Sequence, residues 1–186
     1  MDELQLIAGC KHGESWARKK LYELHAPAMM SVCMRYVNNR ETAKDLLQDG
    51  FIKVFTKIDT YSGSGSFNGW MRRVFVTTAL EHLRRNDALR LSSNIDDYDD
   101  VVENIEVSAV DQLSADELLA CIARLPNGYR TVFNLFAIEG YSHSEIANML
   151  NINESTSRSQ FIRARKVLQK SVESLITHAN AIQRKI

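Results

Sequence analysis

Proline and glycine are scarce in this chain, at two and eight among 186 residues. Runs of β-branched residues in strict alternation are scarce as well, and these shortages argue against a sheet-rich protein and for a mostly helical one. Long apolar stretches are missing: the longest, residues 26–34, is nine residues and contains Pro27 and Ser31, far short of the about 20 residues that span a bilayer. The opening MDELQLIAG carries no basic leader before an apolar core, so the expectation is a cytoplasmic protein with no membrane insertion.

Cysteine is limited to Cys10, Cys33 and Cys121, odd in number, far apart and without a CxxC pair. Buried free thiols account for them better than disulfides or zinc. The five histidines are scattered too, and no Ser/His/Asp set, Gly-rich phosphate loop or HExxH is present. No catalytic residue, cofactor or metal is therefore expected, and the protein reads as a non-enzyme.

Net charge is also lacking, with 23 basic residues against 23 acidic. Its distribution is uneven. Residues 1–90 hold 14 Lys/Arg against 10 Asp/Glu, residues 91–117 hold none against 9, and residues 118–186 hold 9 against 4. Two basic bodies joined by an acidic segment present a polyanion with a local field that the zero total hides. The expected fold class is all-α, with two small helical domains, residues 1–88 and 114–178, joined by an acidic flexible linker over residues 89–113.

Taken in order, residues 1–10 give a short amphipathic helix with Leu4, Ile7 and Ala8 on one face, ending near Gly13. The next helix, from Glu14, uses Trp16, Leu21, Leu24, Met29, Val32, Cys33, Tyr36 and Val37 as core and carries Pro27, a helix-kinking residue. Residues 40–58, RETAKDLLQDGFIKVFTKI, resume the pattern with Leu46, Leu47, Phe51, Val54, Phe55 and Ile58 as the buried stripe and Glu41, Lys44, Asp45, Gln48 and Asp49 outward. A Gly/Ser loop, TYSGSGSF at residues 60–67, leads into a helix over residues 68–85 with Trp70, Val74, Leu80 and Leu83 near its apolar face and Arg72, Arg73, Arg84 and Arg85 exposed. Tyr61, Phe67 and Trp70 beside arginines have the makings of a single-strand nucleic-acid site, since rings stack on bases and cations track phosphates. The same rings could instead close a small core.

After the acidic segment, Ser114 and Glu117 form a capping pattern, Leu118, Leu119, Ile122 and Leu125 an apolar face, and Pro126 a stop. A helix from about Asn127 to Gly140 holds Tyr129, Val132, Phe133, Leu135 and Phe136. The most informative run follows, SHSEIANMLNINESTSRSQFIRARKVL at residues 142–168. Ser142 and Glu145 cap a first helix, Asn151 to Asn153 make a turn, and a second helix starts near Glu154 with Ser157, Phe161, Ala164 and Leu168 in one inward stripe. With Phe161 at zero and about 100° per residue, Thr156, Ser159, Arg163 and Lys166 fall on the far side, flanked by Arg158 and Arg165. A helix-turn-helix whose second helix is basic and hydroxyl-rich suits the major groove. An ordinary helical hairpin with a solvated charged face would show the same pattern.

Three segments together resemble the extracytoplasmic-function (ECF) sigma factors, compact two-domain members of the sigma-70 family. DLLQDGFIKVF at residues 45–55 is similar to the family's polymerase-binding helix, D-L-x-Q-E-x-F-x-x-x-F. GSFNGWMRRVFVTTALEHLRR at residues 65–85 resembles its minus-10 segment, and LPNGYRTVFNLFAIEG onward, residues 125–168, its minus-35 reader. The resemblance implies a subunit that binds RNA polymerase core, at the β′ clamp helices and β flap, recognises the promoter minus-35 and minus-10 elements and assists melting. Asp45, Gln48, Asp49 and Phe51 would then face the polymerase. Ser66, Phe67, Trp70, Arg72, Arg73 and Thr77 would hold minus-10 DNA, and His143, Thr156, Arg158, Ser159, Ile162, Arg163 and Lys166 minus-35 DNA. An anti-sigma protein is a further partner that the resemblance suggests. Departures from the family's pattern are Val76 for a frequent basic residue, Thr77 for asparagine, Asn151 for the turn glycine and Ser157 for an apolar residue. The alternative is a free-standing helix-turn-helix regulator with an N-terminal sensor or dimerisation domain, which has no need of the DLLQDGF helix.

Overall fold

The structure, a computed structural model, describes residues 2–85 and 114–183. The acidic segment lies outside the described residues. Every regular element among those described is helical, and they fall into two compact units, one ending at Arg85 and one after it.

The first unit contains α1 (Glu3–Lys11), α2 (Ser15–Tyr36), α3 (Arg40–Lys57), a short 3-10 turn (Ile58–Thr60) and α4 (Phe67–Arg85). Asp2 caps α1 and Asn39 caps α3, where its side chain accepts from the Glu41 and Thr42 amides, satisfying donors that the first helical turn leaves unpaired. Helices α2, α3 and α4 pack on one another, and α1 lies on α2 and the 3-10 turn. Leu21, Met29, Tyr36, Leu46, Phe67, Met71, Phe75 and Leu80 are sealed in the core. Phe51 meets Phe75 edge-on at 5.2 Å and Tyr22 at 4.7 Å. Gly50 allows α4 to come this close: a Cβ there would stand 2.2 Å from a Phe75 ring carbon.

Several core assignments shift. Leu4, Trp16 and Leu24 are 69%, 49% and 56% exposed, and Ala8 is exposed while Leu6, Ile7 and Cys10 carry the buried face of α1. The run LQLIA supports either face by spacing, and contact with α2 selects Leu6 and Ile7. On α2, the covered face is centred on Leu21, Val32 and Tyr36, so Trp16 and Leu24 fall beside it. The helix continues as one element through Pro27. On α4, Met71, Phe75, Val76 and Ala79 are buried, whereas Trp70 and Val74 are half-buried. All three cysteines are free and buried, and burial pushes the Cys33 thiol up to about 12.

The second unit contains α5 (Ala115–Ala123), α6 (Asn127–Phe133) running into a π turn (Asn134–Ile138), α7 (His143–Leu150) and α8 (Glu154–Gln183). The serine-glutamate capping boxes at Ser114 and Ser142 both form. The predicted helix over residues 127–140 is interrupted by the π turn, in which the Glu139 amide reaches back to the Asn134 carbonyl at 2.9 Å. Buried Arg130 holds the preceding corner, donating to the Ala123 carbonyl at 3.0 Å and to Asn127 Oδ1 at 2.6 Å. Leu125, Tyr129 and Ala164 form a sealed cluster flanked by Phe133, Val167 and Leu168, and α8 is packed by α5, α6 and α7.

Candidate nucleic-acid interface

On α3, three of the four predicted docking residues face solvent: Asp45, Gln48 and Asp49 are exposed, one turn apart. Phe51 is the exception. It is 3% exposed and packs among Tyr22, Phe55 and Phe75, where it seats α3 against its neighbours. Ile52, not singled out from the sequence, is 60% exposed beside Asp49, and its helical spacing of three, four and seven positions from Asp49, Gln48 and Asp45 is the signal that was available. Both line a shallow cavity of about 210 Å³ between α3 and α4 with Lys53, Glu81, His82 and Arg85. Lys53 Nζ lies 2.6 Å from Glu81 Oε2, and this hydrogen bond holds the Glu81 carboxyl below its ordinary value.

Between the 3-10 turn and α4, residues 62–66 are all exposed. Gly63 and Gly65 have φ of 82° and 77°, a region open to glycine and strained for most other residues. Ser66 sits at the N-cap of α4 with its Oγ accepting from the Gly69 amide at 3.3 Å. Beneath the loop, Tyr61, Phe67 and Trp70 pack on one another: Phe67 and Trp70 stack at 5.5 Å, and Tyr61 meets their rings at 5.1 Å and 5.7 Å. Phe67 is buried, at 1%, and Trp70 is half-buried, so the rings form a floor rather than a row of free stacking platforms. Arg73 and Thr77 are exposed and Arg72 half-buried. The Thr77 hydroxyl donates to the Arg73 and Val74 carbonyls at 3.0 and 2.9 Å, which keeps it on its own helix. Val76 is buried, which explains why an apolar residue is accommodated there.

In the second unit, Asn151 ends α7 at φ 54° and ψ 50°, the left-handed conformation that asparagine tolerates. The turn then feeds α8. Arg158, Ser159, Ile162 and Arg165 are exposed, while Thr156 and Arg163 are half-buried. Arg158 pairs with Glu154 one turn back, and Ser159 Oγ bonds to the Thr156 carbonyl at 3.0 Å. Lys166 departs from the helical-wheel expectation: it is 7% exposed. Past Ala164 the helix is covered by more than one neighbour, so a single inward stripe no longer describes it.

His143 is half-buried, and part of its ring is covered. Its ring stacks on Phe136 at 4.2 Å and 12° and meets Phe161 at 5.8 Å. Its Nδ1 stands 2.9 Å from Ser157 Oγ, and Ser157 has no exposure. A hydroxyl buried at a position reserved for apolar packing is thereby satisfied. Desolvation, with the nearby Arg158 charge, pulls the His143 pKa below its ordinary value, against the opposing pull of Glu154.

A helix-turn-helix carried in one unit, with a second unit offering an exposed Gly/Ser loop that leads into an arginine-bearing helix, is the build of a two-part DNA-binding protein. Residues 21–89 match the family described as Sigma-70 region 2, and residues 115–168 that described as Sigma-70, region 4. The chain is 27% identical to the RNA polymerase sigma-H factor of Pseudomonas aeruginosa over 94% of this chain and 96% of that protein. It is 32% identical to the ECF RNA polymerase sigma factor SigE of Mycolicibacterium smegmatis over 83% of this chain and 60% of that protein. Its fold resembles that of the sigma factor RpoE of Bartonella quintana, solved with the anti-sigma factor NepR, at a TM-score of 0.52 and 19% identity over 83% of this chain and 96% of that one. The chain belongs to the sigma-70 family, among the ECF sigma factors, and is a transcription initiation factor. No described helix is long and apolar enough to cross a membrane.

Proposed function

We propose that the exposed α3 face of Asp45, Gln48 and Asp49, with Ile52 among them, docks on the β′ clamp helices of RNA polymerase core, and that the second unit meets the β flap. The loop at residues 62–66, with Ser66, Arg72, Arg73 and Thr77, receives the non-template strand of the minus-10 element as the duplex opens. Phe67 and Trp70 support that loop from below. The first half of α8 enters the minus-35 major groove with Thr156, Arg158, Ser159, Ile162 and Arg163, while half-buried His143 braces α8 through Ser157 and Lys166 acts from within the fold. The protein works without chemistry of its own, in the cytoplasm where the polymerase is. An anti-sigma protein is a further partner, as the Bartonella relative has one.

The observation that carries this reading is the presence of two solvent-facing polar and cationic surfaces on separate units, one of them beside an exposed α3 face that a lone operator-binding protein does not require. Reconstitution with core polymerase tests it. The expected result is runoff transcripts from defined promoters. Protection of a palindromic operator in the absence of polymerase, with no initiation in its presence, would instead identify a free-standing regulator.

A further inference from the structure

Residue Tyr61 holds both ends of the exposed loop. Its amide donates to the Ile58 carbonyl at 3.1 Å, closing the 3-10 turn. Its carbonyl accepts from Lys11 Nζ at 3.1 Å, a bond from a helix fifty residues upstream. Its ring, 8% exposed, is wedged against Phe67 and Trp70. Its hydroxyl then crosses the loop and donates to the Gly65 carbonyl at 2.7 Å. Inside this frame Ser62 Oγ accepts from the Ser64 amide at 3.3 Å.

We infer that Tyr61 is the positioning residue of the minus-10 loop, its hydroxyl and Lys11 together setting the loop in a base-receiving shape before DNA arrives. This rests on the proposal that residues 62–66 contact the non-template strand. The physical reason is entropic. Ordering each loop residue costs conformational entropy, and a loop ordered beforehand leaves more of its contact energy for binding. A glycine-rich loop with five exposed residues has little side-chain packing to order it, so the Tyr61 hydroxyl and the Lys11 amine supply constraints that its own sequence lacks. Discrimination between bases depends on this more than raw affinity does, because a loose loop adjusts to a wrong base as readily as to the right one.

The test uses holoenzyme and fluorescent single-stranded DNA carrying the minus-10 region of a promoter mapped with that holoenzyme, alongside copies with single bases changed. Tyr61→Phe removes one oxygen and leaves the ring. The expected result is a roughly tenfold fall in the ratio of matched to changed affinities, the size of one hydrogen bond at the upper end of its range, with core-polymerase affinity unchanged. Lys11→Met, which alters the tie from outside the core, should move the ratio in the same direction by less. Equal discrimination by Tyr61→Phe and the parent protein overturns the inference while leaving the proposed loop contact intact. A uniform loss on matched and changed strands overturns it too, since Tyr61 would then only stabilise the unit. Absence of base discrimination in the parent protein itself removes the loop contact, and the inference with it.

Discussion

At the scale of the residue, His143 shows how a side chain assigned to DNA by motif position is also tied to the packing of the helix-turn-helix. Truncating His143→Ala removes the stack on Phe136 and leaves the sealed Ser157 hydroxyl without its bond. The expected cost is about 1–3 kcal/mol, read as a lowered denaturation midpoint, and Ser157→Ala in the same background should recover part of it. The ring also makes a pH prediction. Its folded pKa lies below the unfolded value, so its contribution is present above about 6.5, the ordinary histidine value, and is lost as pH falls from there toward the folded pKa. A titration of the histidine ring protons by NMR should place the His143 midpoint below that of a free histidine. Arg163 is the complementary case, half-buried at the edge of the outward face. Arg163→Ala should cost about 1–3 kcal/mol and relax preference at particular minus-35 positions if it forks onto a base; equal loss on every sequence would mark a phosphate contact. Periodicity alone exposed Ser159 and made Ser157 inward. It could not pair Ser157 with a histidine fourteen positions away, because that contact depends on how α7 crosses α8.

Elements were legible where local chemistry decides them and obscure where neighbours do. Both capping boxes follow from side chains that satisfy nearby backbone groups, bonds written within a few residues, and the Asn151 turn follows from a residue that tolerates the left-handed conformation. The π turn at Asn134–Ile138 and the burial of Lys166 are set by packing against other helices, and no short-range pattern announces them. The Asn151 cap can be tested in place. Asn151→Val, forced to positive φ, should destabilise by about 1–2 kcal/mol, whereas Asn151→Gly should be neutral or better. The close approach of α3 and α4 makes a second element-scale prediction. Gly50→Ala puts a methyl into the space of the Phe75 ring, and overpacking of that kind costs about 1–3 kcal/mol. A thermal melt of the full chain reads it. Because α3 also carries the proposed docking face, that variant should lose core-polymerase affinity beyond what its fraction unfolded accounts for.

For the molecule as a whole, the zero net charge and the modest arginine face of α8 make sense if neither DNA contact has to hold by itself. Tethering to polymerase turns the second contact into an intramolecular event, at effective concentrations on the order of millimolar for short connections. Weak faces then suffice, and they leave free protein with little hold on non-promoter DNA. This ordering predicts how a docking defect behaves. Asp49→Arg reverses a charge on the exposed α3 face, remote in sequence from α8, and charge reversal at a polar rim acts mainly on association rate and its salt dependence. Promoter occupancy should therefore fall when core polymerase is limiting and return when core is supplied well above the weakened dissociation constant, while duplex minus-35 binding by the free chain stays as in the parent. Titrating core against fixed promoter and variant, with fluorescence anisotropy as the readout, separates the two regimes. If occupancy stays low at saturating core, Asp49 acts after docking, and the α3 face would have to be reassigned from polymerase binding to promoter opening.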